Sequence, residues 1–444
     1  MTGAPAGRGQ NPPAGTPAEG LYQRLVRSSG DQRAELDSQA AGSVPANGLR
    51  LIGAEAWQAT GDQLVNARTV LPWLFTALGV PAAFVGLLVP IREAGSLLPQ
   101  AVLLPWIKRR TYRRRTWIAG ALSQAACAAA MAVAAATLSG AIAGVVLLGL
   151  LALFACSRAL TSLAGKDVLG RTIPAGQRGQ INGLATVVAG AAAITVGLAV
   201  RVFAGEDAWL LVWLLAAGTV LWVAAAVTFR GVSEPAAEPE HDPSAGQWSR
   251  RMWELLRDDA PFRRFVTVRG LLLVSALSPP FVVAVAADAG QGMSSLGQFV
   301  IASGVASLIG GQAFGRWADR SSRGLMAVMA LASSIVIAAY LVVEQLGAAD
   351  GFGLFGTVVF LLLALAHTGA RVGRKTYVVD MADADQRTEY VAVANSAMGL
   401  ILLAAGAVTA GLAAWGPQAA LAALAVLGLG GAAAAMRLPQ VSVG

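Results

Sequence analysis

Several ionisable side chains interrupt stretches of sequence that are otherwise apolar: Asp62, Arg92, Glu93, Arg158, His367 and Arg371. A charge in hydrocarbon costs about 2.5–3.5 kcal/mol on insertion scales, so each must have a partner or a task. Glu55, Gln58, Asp62, Asn66 and Thr69 follow one another at steps of 3, 4, 4 and 3. At about 100° per residue they share one helix face roughly 80° wide, which must meet protein or water and never lipid. Glu93, Ser96 and Gln100 share a second polar face, with Arg92 flanking it. Two chemistries fit these groups. One is a structural ion network tying helices together, with Asp62, Arg68 and Arg158 as natural partners. The other is proton coupling, in which Asp62 or Glu93 takes up a proton when a neighbouring Arg moves. His367 is read either as a packed, hydrogen-bonded residue or as a third titrating group. Arg158, His367 and Arg371 together would make a cationic floor suited to an anion. Ser275 and Ser278, beside Pro279 and Pro280, stand where two prolines should break a helix and free carbonyls for a solute or a hinge. Asn395 adds a further polar side chain in an apolar run.

The elements that position these residues are membrane helices. The 444 residues are 56% hydrophobic and only 13% charged, against about 25% charged in soluble domains. Apolar runs long enough to cross a bilayer occupy residues 55–78, 82–106, 116–137, 140–163, 179–202 and 208–229, and then 263–287, 293–315, 325–346, 353–373, 388–413 and 417–437. The expected class is therefore an all-α membrane protein of twelve spans. Its units are a polar tail over 1–50, a first half over 51–229, a linker over 230–262, a second half over 263–437 and a short tail over 438–444. Tail residues 1–18 are expected to be disordered and lack the apolar segment of a signal peptide, with a short surface helix near Leu21–Arg27. The linker starts Pro-rich and ends in WSRRMWELLRDD, an amphipathic helix. Cys127 and Cys156 lie in apolar stretches and read as buried hydrophobes.

The chain also repeats itself. Residues 157–179 align with 366–388 at a shift of 209 without a gap, and the same shift lays WIKRRTYRRR at 106–115 onto GRWADRSSRG at 315–324. Paired halves of this kind are how secondary transporters place a solute between two rocking units. The shift sets Arg158 against His367, Arg110 against Asp319 and Arg171 against Asp380. The last two pairs suggest a cross-half latch of exposed ion pairs that forms when the cytoplasmic side closes, about 0–1 kcal/mol each; the alternative is that Asp319 pairs within its own half, with Arg374, Lys375 or Arg387, or caps a helix N-terminus. The net charge of +8 sits in short loops on one side, while the opposite connections hold no Lys or Arg. That distribution argues against nucleic acid and, by the positive-inside rule, puts both termini and the linker in the cytoplasm of a bacterial inner membrane.

The string Gly315–Arg323 resembles the loop signature of the major facilitator superfamily, G-x-x-[AS]-D-R-x-G-R-[RK]. Gly315, Ala318, Asp319, Arg320 and Arg323 match, whereas Ser322 and Gly324 depart from it. The first-half copy carries Arg110 in place of Asp, and the Gly-Pro pair typical of drug antiporters is missing from Asn182–Val202. The resemblance implies the two-bundle fold, with helices 1, 4, 7 and 10 lining a central cavity, and an arginine in helix 4 that Arg158 is similar to. It also implies alternating access with a small-molecule substrate, no cofactor and no metal, and a monomer in the bilayer. Without a GxxxxGK[ST] phosphate loop, proton drive is expected over ATP, and the family's habit favours efflux over uptake. Two rivals remain at this stage: a transporter-shaped sensor or scaffold without flux, and a lipid-modifying membrane enzyme. The second would need a clustered nucleophile, metal site or acidic pair that the sequence does not offer.

Overall fold

The computed structural model describes residues 17–26, 41–203, 209–237, 248–347, 354–381 and 387–441. The described residues are helical throughout, in an order that can be followed as twelve crossings. A short helix α1 (Pro17–Leu25) precedes the first crossing, which is α2 (Val44–Leu64) followed by α3 (Val70–Ala77). The second is α4 (Ala82–Leu97) with α5 (Gln100–Lys108). Single helices α6 (Arg113–Thr137), α7 (Gly140–Thr172), α8 (Ala175–Phe203) and α9 (Trp209–Arg230) complete the first half. After α10 (Trp248–Asp258), the seventh crossing is made of α11 (Ala260–Leu271), α12 (Val274–Leu277) and α13 (Pro279–Asp288). The segment α14 (Met293–Gln345), two helices that meet at a kink at Ser321, supplies two crossings, and α15 (Phe355–Met381), α16 (Arg387–Ala413) and α17 (Pro417–Met436) supply the rest. Eleven of these segments are long and apolar enough to span a membrane. The first crossing falls short of that test because it is polar and broken.

Each break has a local cause. Asn66 accepts from the backbone N–H of Arg68 at 2.8 Å through its side chain, and its own carbonyl takes the N–H of Leu71 at 3.0 Å. This turn competes with the helical ladder and unwinds residues 65–69. Pro99, which has no N–H to donate, separates α4 from α5. In the seventh crossing the chain leaves the helix at Ser278, just before Pro279 and Pro280, and also at Leu272–Leu273, which the prolines alone did not foretell. The loop at 315–324 is tighter than expected: within α14 only Ser321 leaves helical backbone angles, and its hydroxyl accepts from the N–H of Gly324 at 3.2 Å.

The expectation of a polar tail to residue 50 needs correction. The first crossing already begins at Val44, and α1 docks against it. Tyr22 is buried at Gly48, where a Cβ would collide with its ring, and its hydroxyl donates to Gln177 Oε1 at 2.7 Å. Residues 1–16 lie outside the described residues.

The halves meet through small residues. Along α8 and α14, a Cβ on Gly197 would lie 2.7 Å from the carbonyl oxygen of Gly297, and one on Gly304 would lie 2.8 Å from that of Gly190. Along α4 and α16, Gly86 abuts the backbone of Ala410 and Gly406 abuts Pro90. Close backbone approach of this kind is what holds helices together where lipid offers no hydrophobic drive. On the face away from the basic loops, one apolar core includes both halves, with Trp73 and Phe299 at 6.4 Å between centroids. Toward the basic-loop face the cores separate, one per half, with Trp117 stacked on Phe229 at 3.9 Å in the first and Phe265 on Tyr377 at 5.1 Å in the second. The molecule is thus sealed at one end and parted at the other.

Candidate functional site: a charged cavity between the halves

Where the halves part, they enclose a cavity of about 700 Å³. Its floor is built from two helices related by the repeat. On α7, Arg158, Ser162 and Lys166 recur every four residues; on α15, their equivalents are His367, Arg371 and Lys375. Four-residue spacing keeps each trio on one face, so the two stripes look at each other across the pseudo-twofold axis. The unwound stretch 65–68 and α4 provide Asn66, Arg68, Arg92, Glu93, Ser96 and Gln100, and the second half adds Arg269, Arg374 and Asn395.

Two ion-pair groups organise the first-half wall. Asp62 bridges two arginines, one on each oxygen: Arg92 at 3.3 Å and Arg158 at 3.2 Å. The guanidinium of Arg92 also lies 5.1 Å over the ring of Phe154. Glu93 binds Arg68 at 3.2 Å, and the same Nη2 of Arg68 lies 3.1 Å from His367 Nε2. That contact joins the halves across the cavity. Opposite charges adjacent in sequence, Arg92 and Glu93, therefore reach different partners on different helices.

The second-half wall is unlike the first. Arg269 donates to Asn395 Oδ1 at 3.0 Å, but its Nε is buried without a partner, as is Nε of Arg374. Among the described residues no carboxylate forms a salt bridge with Arg269, Arg371, Arg374, Lys375 or Lys166.

The polar stripe of the first helix is only partly cavity wall. Asp62 and Asn66 face the cavity, but Gln58 is buried inside the first half, donating to Gln124 Oε1 at 3.1 Å and Thr161 Oγ1 at 3.3 Å. Thr69, expected to line the cavity, is buried away from it, because the turn at Asn66 resets the helical phase. Ser275 and Ser278 also require correction: both are buried, Ser278 returns its hydroxyl to the Val274 carbonyl at 2.7 Å, and Leu273 and Ala276 face the cavity instead. Conversely, Lys166, Lys375, Arg269 and Arg374 were not singled out as cavity residues. The repeat had aligned the two lysines, but the apolar runs end near 163 and 373, whereas α7 and α15 continue as helix to Thr172 and Met381.

The loop candidates have other occupations. Arg171 reaches Glu234 of the linker at 3.4 Å and the carbonyls of Pro235 and Ala236 at 2.9 and 3.0 Å, not Asp380. The buried Glu234 carboxylate also accepts the N–H groups of Arg113 and Arg114 at 3.0 and 2.8 Å, capping α6. Arg110 lies 4.3 Å over the Trp106 ring, and Asp319 and Arg320 are exposed. Arg323 donates to the carbonyl of Leu438 at 2.8 Å. Its repeat equivalent Arg114 donates to the carbonyls of Arg230 and Val232. In both halves, therefore, this arginine fastens the chain leaving the last helix. A Cβ on Gly315 would meet nothing within 4 Å, so packing does not demand that glycine.

No protein-family model matches the sequence, and comparison with curated proteins finds no match. Solved structures do match. A D-xylose–proton symporter superposes with a TM-score of 0.66 at 12% identity, over 89% of this chain and 98% of that one. A POT family transporter in complex with a thioalcohol-conjugated peptide gives 0.68 at 10% identity, over 91% and 98%. The inward-open conformation of the xylose transporter XylE from E. coli gives 0.61 at 13% identity, over 88% and 95%. The fold is that of the major facilitator superfamily, twelve helices in two pseudo-twofold-related halves.

Proposed function

We propose that this chain is a secondary active transporter that carries a small solute by alternating access, with protons as the driving ion. The observation that carries the reading is the pair of mid-membrane carboxylates, each held by arginines at the wall of a cavity that lies between two halves and opens to one face. A cavity of this size suits a metabolite and no polymer. The basic-loop face is cytoplasmic by the positive-inside rule, so this conformation is open to the cytoplasm of a bacterial inner membrane.

Arg68 supplies the coupling. It is shared between Glu93 and His367, one in each half. A solute that draws Arg68 toward the second half loosens it from Glu93, and a carboxylate relieved of its guanidinium takes a proton more readily. Asp62 holds Arg92 and Arg158, one on each oxygen, so a movement of either arginine breaks one of its two ion pairs.

Purified protein in liposomes with an imposed pH gradient tests this. Asp62→Asn and Glu93→Gln should each reduce gradient-driven accumulation by about tenfold or more, while solute exchange at equal pH continues. Accumulation by both variants at the wild-type level would discard proton coupling here. In this arrangement solute and proton load together, so acidifying the outside of right-side-out vesicles should drive uptake; faster loss of solute would instead mark exchange, the export that the family's habit favours.

A further inference from the structure

We propose, resting on the transporter reading above, that the solute is a compact organic anion carrying two negative charges, seated on the second-half wall by Arg269, Arg371 and Arg374. Eight basic side chains and two carboxylates line the cavity. The carboxylates occupy three of the bases, with Arg92 and Arg158 on Asp62 and Arg68 on Glu93. Lys166, Lys375 and the three seat arginines form no salt bridge among the described residues, although Glu93 lies within electrostatic reach of Arg371 and Arg374. The seat is also unfinished in hydrogen bonding. Nε of Arg269 and Nε of Arg374 are buried without a partner, as is Nη1 of Arg158 on the facing helix. The guanidiniums that carry these atoms line the cavity, where an acceptor arriving from outside would meet them.

The repeat sharpens the assignment. The first-half equivalents of Arg269, Arg371 and Arg374 are Thr60, Ser162 and Gly165, all uncharged. At these positions the charge belongs to the second half alone. Planar guanidinium forks donate paired N–H bonds to carboxylate or phosphate oxygens. A monoanion would neutralise only one of the three seat arginines. Lys166 and Lys375, facing each other one helical turn nearer the opening, form a cationic mouth that draws the anion inward.

The test uses full-length protein in neutral detergent at low salt, with succinate, glycerol 3-phosphate and inorganic phosphate as probes. Monomethyl succinate, xylose and putrescine are the monoanionic, neutral and cationic controls. The dianions should raise the unfolding temperature, with succinate bound roughly tenfold or more tightly than its monomethyl ester. Arg371→Gln and Arg374→Gln should each remove that shift, Arg371→Lys should restore part of it, and the exposed Arg250→Gln should not alter it. Equal binding of succinate and its monomethyl ester would overturn the two-charge requirement. A response to xylose or putrescine alone, with flux of that solute in liposomes, would overturn the seat while leaving the transporter reading intact. Dianion binding that depends on Arg371 but drives no flux would keep the seat and sink the transporter reading. The wild-type comparison needs no variant, so a misfolded glutamine variant leaves the test in force.

Discussion

The two walls of the cavity are built on the same helical frame and carry opposite charge economies. In the first half every central arginine has an acid: Arg92 and Arg158 share Asp62, and Arg68 has Glu93. In the second half Arg269, Arg371 and Arg374 have none among the described residues. Since α7 and α15 align in sequence at a fixed shift, the difference does not come from the helical frame. What differs is the side chains placed on equivalent positions. A balanced wall holds its own shape and can exchange a proton; an unbalanced wall waits for a counter-charge. The lesson is that pairing, more than the presence of charge, separates framework from solute contact inside a membrane.

The sharpest way to break this contrast is to neutralise one wall and its repeat counterpart in parallel. Arg371→Gln combined with Arg374→Gln should lower transport of a dianion by about a hundredfold, from loss of two charge-assisted contacts, whereas Ser162→Ala should stay within about twofold. Comparable losses from both would erase the distinction. Next in size, Asp62→Asn should cost drive more than binding: accumulation against a gradient falls about tenfold and dianion affinity measured by calorimetry changes less. A parallel contrast exists at the basic-loop face. Glu234 serves three donors of the first half, so Glu234→Ala should lower stability by about 2–3 kcal/mol, read in chemical denaturation. Arg323 makes a single carbonyl contact in the second half, and Arg323→Ala should cost about 1 kcal/mol by the same measurement. A larger loss at Arg323 than at Glu234 would reverse the ranking of the two fastenings.

Much of this architecture could be read before any coordinates. Apolar runs marked twelve crossings, eleven of which are long and apolar enough in the structure to span a membrane. The 209-residue shift found the floor, since it paired Arg158 with His367 and Lys166 with Lys375. What escaped was whatever depended on helical phase after a break. Thr69 follows the turn at Asn66, so counting by 100° carried it to the wrong side; Ser275 and Ser278 were placed by the prolines beside them, whereas past the kink at Leu272–Leu273 it is Leu273 and Ala276 that line the cavity. Lys166 and Lys375 were missed because hydropathy ends where charge begins, while the hydrogen-bonded helix continues. Partner choice was the least legible of all. Arg171 sits opposite Asp380 in the repeat, yet a linker carboxylate that has no equivalent in the alignment occupies it.

The glycine contacts of α8 with α14 have one more consequence. Gly190, Gly197 and Gly304 bring the two backbones together, and each leaves a hollow that one aliphatic side chain of the facing helix fills: Leu308, Ile301 and Ile194. Side chains seated in grooves favour one crossing angle, and changing it means sliding each of them out of its hollow. The seam is therefore a notched bearing: the halves stay in touch while the angle between them steps from one seating to the next. Such a joint needs no flexible hinge loop and little rearrangement within either half. A single bulky residue at Gly197 would seize it in one orientation while leaving both walls of the cavity untouched.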